Sequence, residues 1–204
     1  MKYKLSVVIP VWNQENLIIR AIESVPYRND IEIIVIDDGS TDDTWQRIQE
    51  YRESHAFRNL ILLYNKDNMG VAYTVNRGYD TASGEYVVLL GSDDYFISPE
   101  FENALKYLDG TDLVYFNLRV NSGKILKVTA DNKYHYCGST KFMRREFIGD
   151  TRCPENMRVK EDAVFYQELM KKPHTEFFTN ITLKHYNFPR KGSLMYNNAN
   201  GVKE

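Results

Sequence analysis

Residues 85–94, Glu-Tyr-Val-Val-Leu-Leu-Gly-Ser-Asp-Asp, run an apolar strand out into two adjacent carboxylates, Asp93 and Asp94, with Tyr95 and Phe96 directly behind them. Two like charges at the carboxyl end of a buried strand repel by roughly a kcal/mol or more at close range, so a cation is expected to settle there. A hard divalent ion that takes oxygen ligands, manganese or magnesium, is the natural candidate. A second acidic turn has the same design: the apolar run Ile31 to Ile36 empties into Asp37-Asp38-Gly39-Ser40-Thr41. In an open α/β sheet the ligand crevice lies outside the carboxyl ends of the strands, which brings both pairs toward one cleft. Asp-Asp-Gly-Ser-Thr is equally good turn chemistry, with Ser40, Thr41 or Asp42 available to cap a following helix. At the other turn, Ser98-Pro99-Glu100 provides a helix start a few residues on and leaves Asp93 and Asp94 without that task.

The elements that must hold these turns alternate regularly. Apolar runs over Leu5 to Val11, Ile31 to Ile36, Leu60 to Tyr64, Glu85 to Leu90 and Leu113 to Phe116 are separated by helical patterns over Asn16 to Val25, Thr44 to Glu53, Val71 to Asp80 and Pro99 to Leu108. Strands apolar throughout, joined by helices, imply a mostly parallel sheet covered on its faces, an α/β fold. Past residue 118 the rhythm breaks. Lys124 to Thr129 and Lys133 to Tyr136 read as antiparallel strands, Lys141 to Ile148 as a short helix and Glu161 to Met170 as a clearer one. The stretch from Asn187 to Glu204, with Pro189 and an Asn cluster, reads as a loop that orders over a ligand. The expected organisation is one continuous domain in two halves, residues 1–118 and 119–204.

At 204 residues, 43% hydrophobic and 13% aromatic, the chain holds ample material for a packed core. No apolar run approaches the roughly 18–20 residues that a membrane helix needs, and the start leads straight into a strand, which together point to the cytoplasm, with a place at the membrane periphery open. Cys137 and Cys153 fit no metal spacing and read as free thiols. The net charge of −2 conceals an asymmetry. Residues 1–118 carry ten Lys and Arg against nineteen Asp and Glu, and residues 119–204 sixteen against nine, so the halves stand at −9 and +7. An acidic metal-binding half beside a basic half that receives an anionic partner accounts for this.

Ser6-Val7-Val8-Ile9-Pro10-Val11-Trp12-Asn13, Ile34 through Asp42, Asn68-Met69-Gly70 with Asn76-Arg77-Gly78, Gly84-Glu85-Tyr86 and Ser92-Asp93-Asp94 follow one another in the order and spacing of a known family. The chain resembles the catalytic domain of an inverting family 2 glycosyltransferase with the GT-A nucleotide-sugar fold, over most of its length. That fold implies a Rossmann-like, mostly parallel central sheet flanked by helices, with a small antiparallel extension on the acceptor side, and it makes residues 1–118 the donor-binding half and 119–204 the acceptor-binding and catalytic-base half.

The resemblance implies roles for particular residues. Trp12 stands where relatives carry a Tyr that stacks on the uracil of a UDP-sugar, and an indole face does this equally well. Asp38 matches the carboxylate that accepts the uracil ring N–H, which favours uracil over cytosine. Pro10, Asn13, Asn68 and Gly70 fall with them on the donor side. Asp93 matches the ribose contact, and Asp94 with Asp93 beside it the metal site, where a divalent cation, Mn2+ or Mg2+, would bridge the diphosphate and act as Lewis acid. Many relatives have Asp at the position of Gly91, so the acidic string here is shorter.

In Lys160-Glu161-Asp162, Asp162 matches the general base that takes the proton of the acceptor hydroxyl, and Glu161 would orient it or hold an acceptor hydroxyl. First-turn acids are also ordinary complements of a helix dipole. Gly138 through Arg145 sits where relatives build an acceptor wall, with Phe142 and Met143 reading as core. Arg190 and Lys191, before Gly192-Ser193, stand where many relatives have His and read as a charge-assisted clamp on the diphosphate rather than metal ligands. His185 is a minor candidate ligand.

Three other classes compete. A sugar-phosphate nucleotidyltransferase would carry a Gly-rich phosphate loop after the first strand, and Pro10-Val11-Trp12-Asn13-Gln14 contains no glycine. A metal-dependent phosphatase or receiver would leave Asp93, Asp94 and Glu161-Asp162 without a task. A non-catalytic nucleotide-sugar binder would keep every donor residue, and a large separation of Asp162 from the donor cleft would favour it. The basic second half points to an anionic hydroxyl acceptor, such as a phosphate-linked glycan, a polyprenyl-phosphate saccharide or a nucleic acid. For the last of these, the sequence has no Lys/Arg stripe interleaved with aromatics.

Overall fold

The computed structural model describes residues 3–55, 59–157 and 159–191. The apolar runs of the first half become β1 (Leu5–Val11), β2 (Ile31–Asp37), β3 (Leu60–Tyr64) and β4 (Tyr86–Leu89). They pair in parallel in the order β3-β2-β1-β4, with Leu5 opposite Ile31 on one side and opposite Tyr86 on the other. Each of β1, β2 and β4 is almost wholly buried, which is why their sequences are apolar at every position instead of alternating. The order reverses at β1, so the carboxyl end of β1 lies at the crevice where α/β sheets bind ligands.

Successive side chains of a strand point to opposite faces, and the two halves of the core follow that period. Leu5, Val7, Ile9 and Val11 pack with α1 (Ile18–Glu23), α2 (Thr44–His55) and α4 (Glu100–Leu105). Val8, Ile34 and Ile36 pack on the other face with α3 (Val71–Thr81), α5 (Arg145–Ile148) and α6 (Glu161–Leu169). Gly78 lets α3 sit close on β1: a Cβ there would lie 2.3 Å from Val8 Cγ1.

The second half joins the same sheet. β8 (Lys141–Arg144) runs antiparallel between β4 and β6 (Leu113–Val120), β9 (Glu176–Tyr186) lies parallel to β6, and β5 (Tyr95–Phe96) and β7 (Ile125–Leu126) pair antiparallel with β9 and β6. The antiparallel character expected on the acceptor side is therefore built into the central sheet through β8, not hung beside it.

Several expectations change here. Lys141 to Arg144 is a strand, and only Arg145–Ile148 is helical; four residues with two apolar side chains, Phe142 and Met143, between charged ends are too short to carry a period that separates the two states. Lys133–Tyr136 is a 3-10 turn, not a strand, capped by Asn132, whose Oδ1 accepts the Tyr134 N–H at 3.1 Å. Only Ile125–Leu126 of the expected strand at Lys124 to Thr129 forms a ladder. β9 extends over eleven residues, far upstream of Lys184, although Phe-Phe-Thr-Asn-Ile-Thr-Leu has ample β-branched and aromatic content. Of the expected closing loop, residues from Gly192 onward, including Ser193, lie outside the described residues. Among the described residues no helix is long and apolar enough to cross a membrane.

Candidate active site

β1 and β2 end in register, Val11 opposite Asp37, and the turns that follow are tied to one another. Asn13 adopts a left-handed backbone, φ +49°, which Asn tolerates better than most residues. Its N–H donates to Ser40 Oγ at 2.9 Å, and its Oδ1 accepts the Thr41 N–H at 2.8 Å. Asp37 is fully buried, and its Oδ1 accepts the Ser40 N–H at 2.7 Å; burial raises its carboxyl pKa. These contacts hold the mouth of β1 in place. Trp12 stands there 43% exposed, so its ring is available to a ligand and is not a core residue.

Asp38 is largely spent on its own chain. Its Oδ1 accepts from Asn65 Nδ2 at 2.6 Å and from the Met69 N–H at 3.0 Å, and its Oδ2 from the Gly70 N–H at 2.8 Å. It fastens the loop 65–70 that carries the exposed Asn68 and the left-handed Gly70 (φ +93°). A carboxylate offers about four lone-pair sites, so one direction on Oδ2 remains for a ligand donor.

The Asp93–Asp94 turn is compensated from within the chain. Asp94, 3% exposed, meets Lys184 Nζ at 2.7 Å through Oδ2 and accepts the Asn187 N–H at 2.9 Å through Oδ1. Burial pushes the Asp94 carboxyl above its ordinary value, and the adjacent Lys184 ammonium opposes that shift. Asp93 Oδ2 accepts from Arg190 Nε at 2.9 Å, while its backbone carbonyl accepts from Arg20 at 2.7 Å. The pairing of β5 with β9, Phe96 opposite Lys184, delivers the lysine to this turn. Gly91 has a steric reason to be glycine: a Cβ would stand 3.1 Å from Asp94 Oδ2 and 3.2 Å from Asp93 Oδ1. His185, next in β9, points to the opposite face and stacks on Tyr95 with centroids 4.5 Å apart.

A hard dication at this turn would need uncompensated oxygen ligands. Both carboxylates are already matched by cations of the chain, Asp94 by the fully buried Lys184 and Asp93 by Arg190. The donor set as it stands does not fit a divalent ion.

The facing wall is the first turn of α6. Asp162 Oδ2 accepts the Gly138 N–H at 3.1 Å, and its Oδ1 accepts the Ala163 N–H at 2.8 Å, which fixes the carboxylate. The 135–138 segment that presents Gly138 is itself anchored by residues that the sequence did not single out. Buried Lys141 donates to the carbonyls of His135 at 2.6 Å and Cys137 at 2.9 Å and lies 3.5 Å from the Tyr166 ring centroid, while the Tyr166 hydroxyl donates to the Gly138 carbonyl. Burial pushes the Lys141 ammonium down to about 7. A cavity of about 150 Å³ joins the walls, lined on one side by Pro10 and Gly91 and on the other by Gly138, Ser139, Glu161 and Asp162. Trp12, Asp38 and Asn68 do not line it; they surround the adjacent mouth of β1 and β2.

Burial, with the Asp162 charge beside it, pushes Glu161 up to about 7 from 4.5. The folded state therefore keeps a proton that the unfolded chain has released, and stability falls as pH rises through that window. Glu161→Gln is expected to raise the melting temperature above pH 7 and to lose that advantage below pH 4.5; an equal effect at both ends would remove Glu161 as a strained carboxyl.

The profile of the family described as Glycosyl transferase family 2 matches residues 6–167. A UDP-Glc:alpha-D-GlcNAc-diphosphoundecaprenol beta-1,3-glucosyltransferase of Escherichia coli, WfaP, is 34% identical over 116 residues, covering 55% of this chain and 44% of its own. Among solved structures, TarS of S. aureus in complex with UDP-GlcNAc superposes with a TM-score of 0.81 at 24% identity, over 95% of this chain and 60% of that one. The mannosyltransferase PcManGT of Pyrobaculum calidifontis, in complex with GDP-Man and Mn2+, gives 0.75 at 20%, over 97% and 60%. The chain thus spans less than half the length of WfaP and about three-fifths of the two solved chains, and the structures establish the shared GT-A fold.

Proposed function

The chain belongs to glycosyltransferase family 2, and from that membership we propose that it transfers the sugar of a UDP-sugar, with inversion, to a hydroxyl of an anionic glycoconjugate. The observation that carries this reading is the shared cavity: Gly91, beside Asp93 and Asp94, and Asp162, more than sixty residues later, line one space. That proximity favours an enzyme over a nucleotide-sugar binder, in which nothing would require a carboxylate opposite the donor turn.

UDP is bound at the mouth of β1 and β2. The exposed Trp12 stacks on uracil, the remaining lone pair of Asp38 accepts its ring N–H, and Asn13, Asn68 and Gly70 shape the rim. The E. coli relative, which by its name uses UDP-Glc, supports uracil as the base. Arg190, held through Nε on Asp93, turns its other donors with Lys191 toward the diphosphate. Asp162, oriented by two backbone N–H groups, takes the proton of the acceptor hydroxyl as that oxygen bonds to the anomeric carbon. The bond from that carbon to the diphosphate oxygen breaks on the opposite face, and the charge on departing UDP is met by Arg190 and Lys191. Glu161, with its raised pKa, holds an acceptor hydroxyl beside the base. The surplus of basic residues in the second half receives the acceptor's anionic group, and a lipid-linked acceptor would bring the protein to a membrane surface.

UDP release from a panel of UDP-sugars, with a polyprenyl-diphosphate saccharide as acceptor and an uncharged saccharide as control, tests this function. Release that depends on the anionic acceptor supports it, and no release with any donor while UDP still binds would leave a binding protein. Trp12→Ala is expected to weaken UDP by ~1–3 kcal/mol, the range for a base stacked on an aromatic side chain; calorimetry showing unchanged affinity would take the ring out of the site.

A further inference from the structure

We infer that Lys184 is a built-in substitute for the divalent cation expected at Asp94, so that the donor diphosphate is bound without a metal ion. Lys184 is fully buried and Asp94 nearly so, at 0% and 3% exposure, with Nζ and Oδ2 2.7 Å apart. The pair is held from both ends: the other hydrogen bond of the lysine goes to Ser139 Oγ at 2.7 Å, and the far oxygen of Asp94 accepts the Asn187 N–H. A buried ammonium must keep its counter-charge. A dication that took Asp94 as ligand would strand Lys184 unpaired and at short range from a second, doubly positive centre. Arg190 repeats the arrangement on Asp93, so the turn is neutral before any ion arrives.

Lys184 also does what a fixed metal could not. Through Ser139 it connects the donor turn to the segment whose next residue toward the N-terminus, Gly138, holds Asp162. It is a positioning residue that sets the spacing between the leaving-group side and the base side of one cavity.

This inference rests on the proposed donor site, and the experiment separates the two. Free Mn2+ is followed by electron paramagnetic resonance during titration with the whole protein, with and without UDP, and UDP affinity is measured by calorimetry in EDTA and in Mn2+. The wild type is expected to leave the Mn2+ signal undiminished beyond what UDP alone removes, with UDP affinity alike in both buffers. Lys184→Met, which frees Asp94, is expected to take up Mn2+ and to melt higher in its presence. Stoichiometric Mn2+ uptake by the wild type, or a gain of about tenfold or more in its UDP affinity with Mn2+, overturns the inference. Should Lys184→Met fail to fold, the wild-type titration decides alone. Absence of UDP binding in both buffers would instead sink the donor reading, and the Mn2+ titration would still judge Lys184.

Discussion

Asp162→Asn is expected to lower kcat by about 10²–10⁴-fold, the usual worth of a general base, while UDP affinity stays within about twofold. The side chain lines the cavity opposite Gly91, and both its oxygens are directed by backbone N–H groups, from Gly138 at 3.1 Å and Ala163 at 2.8 Å. Asn keeps the shape and one acceptor but cannot take a proton. The loss should therefore appear in turnover rather than in donor binding, which engages the mouth of β1 some distance away. Turnover within about threefold of wild type would dismiss Asp162, and attention would pass to Glu161, whose pKa near 7 makes it the other carboxyl suited to proton transfer. A loss shared equally between kcat and UDP binding would show instead that Asp162 is needed only to hold Gly138.

What the sequence made legible follows from burial. β1, β2 and β4 read clearly because both their faces are covered, and strands of that kind must be apolar at every position. Once they are placed in parallel, Asp37-Asp38 and Asp93-Asp94 fall at carboxyl ends without further information. The roles of individual carboxylates were less accessible. Asp38 looks the same in sequence whether it meets a ligand or staples a loop, and the choice depends on Asn65, Met69 and Gly70 folding back onto it. β8 and Lys141 were hidden because four residues, two of them charged, are too few to show a usable period. The expectation that a cation belongs at Asp93 and Asp94 was sound in its electrostatics, but in the structure the chain supplies cations of its own. Lys184 lies ninety residues from Asp94, and its arrival depends on the register of β9 against β5 and on the irregular pairing of β9 with β6 around Asn117. No local pattern encodes that register.

The same pair gives the largest expected effect on stability. Removing one partner of a buried ion pair leaves the other charge uncompensated and typically costs 3–5 kcal/mol, so Asp94→Asn should lose about that much and lower the melting temperature by roughly 10 °C for a chain of this size. Asn keeps an acceptor for the Asn187 N–H but offers Lys184 only a dipole. Lys184→Met alone should cost a similar amount, because among the described residues the buried Asp94 carboxylate would then keep the Asn187 N–H alone as its partner. The double variant Asp94→Leu with Lys184→Met removes both charges and fills the space with apolar atoms, and buried pairs replaced in this way often lose little or gain. Its stability should therefore exceed that of either single variant, a coupling that a double-mutant cycle in urea reads directly. If Asp94→Asn stays within about 1 kcal/mol of the wild type, the pair is not desolvated in solution and water reaches the turn. If the double variant is as unstable as the sum of its parts, the two residues do not act as a pair, and the neutral turn that makes a metal unnecessary would have no energetic basis.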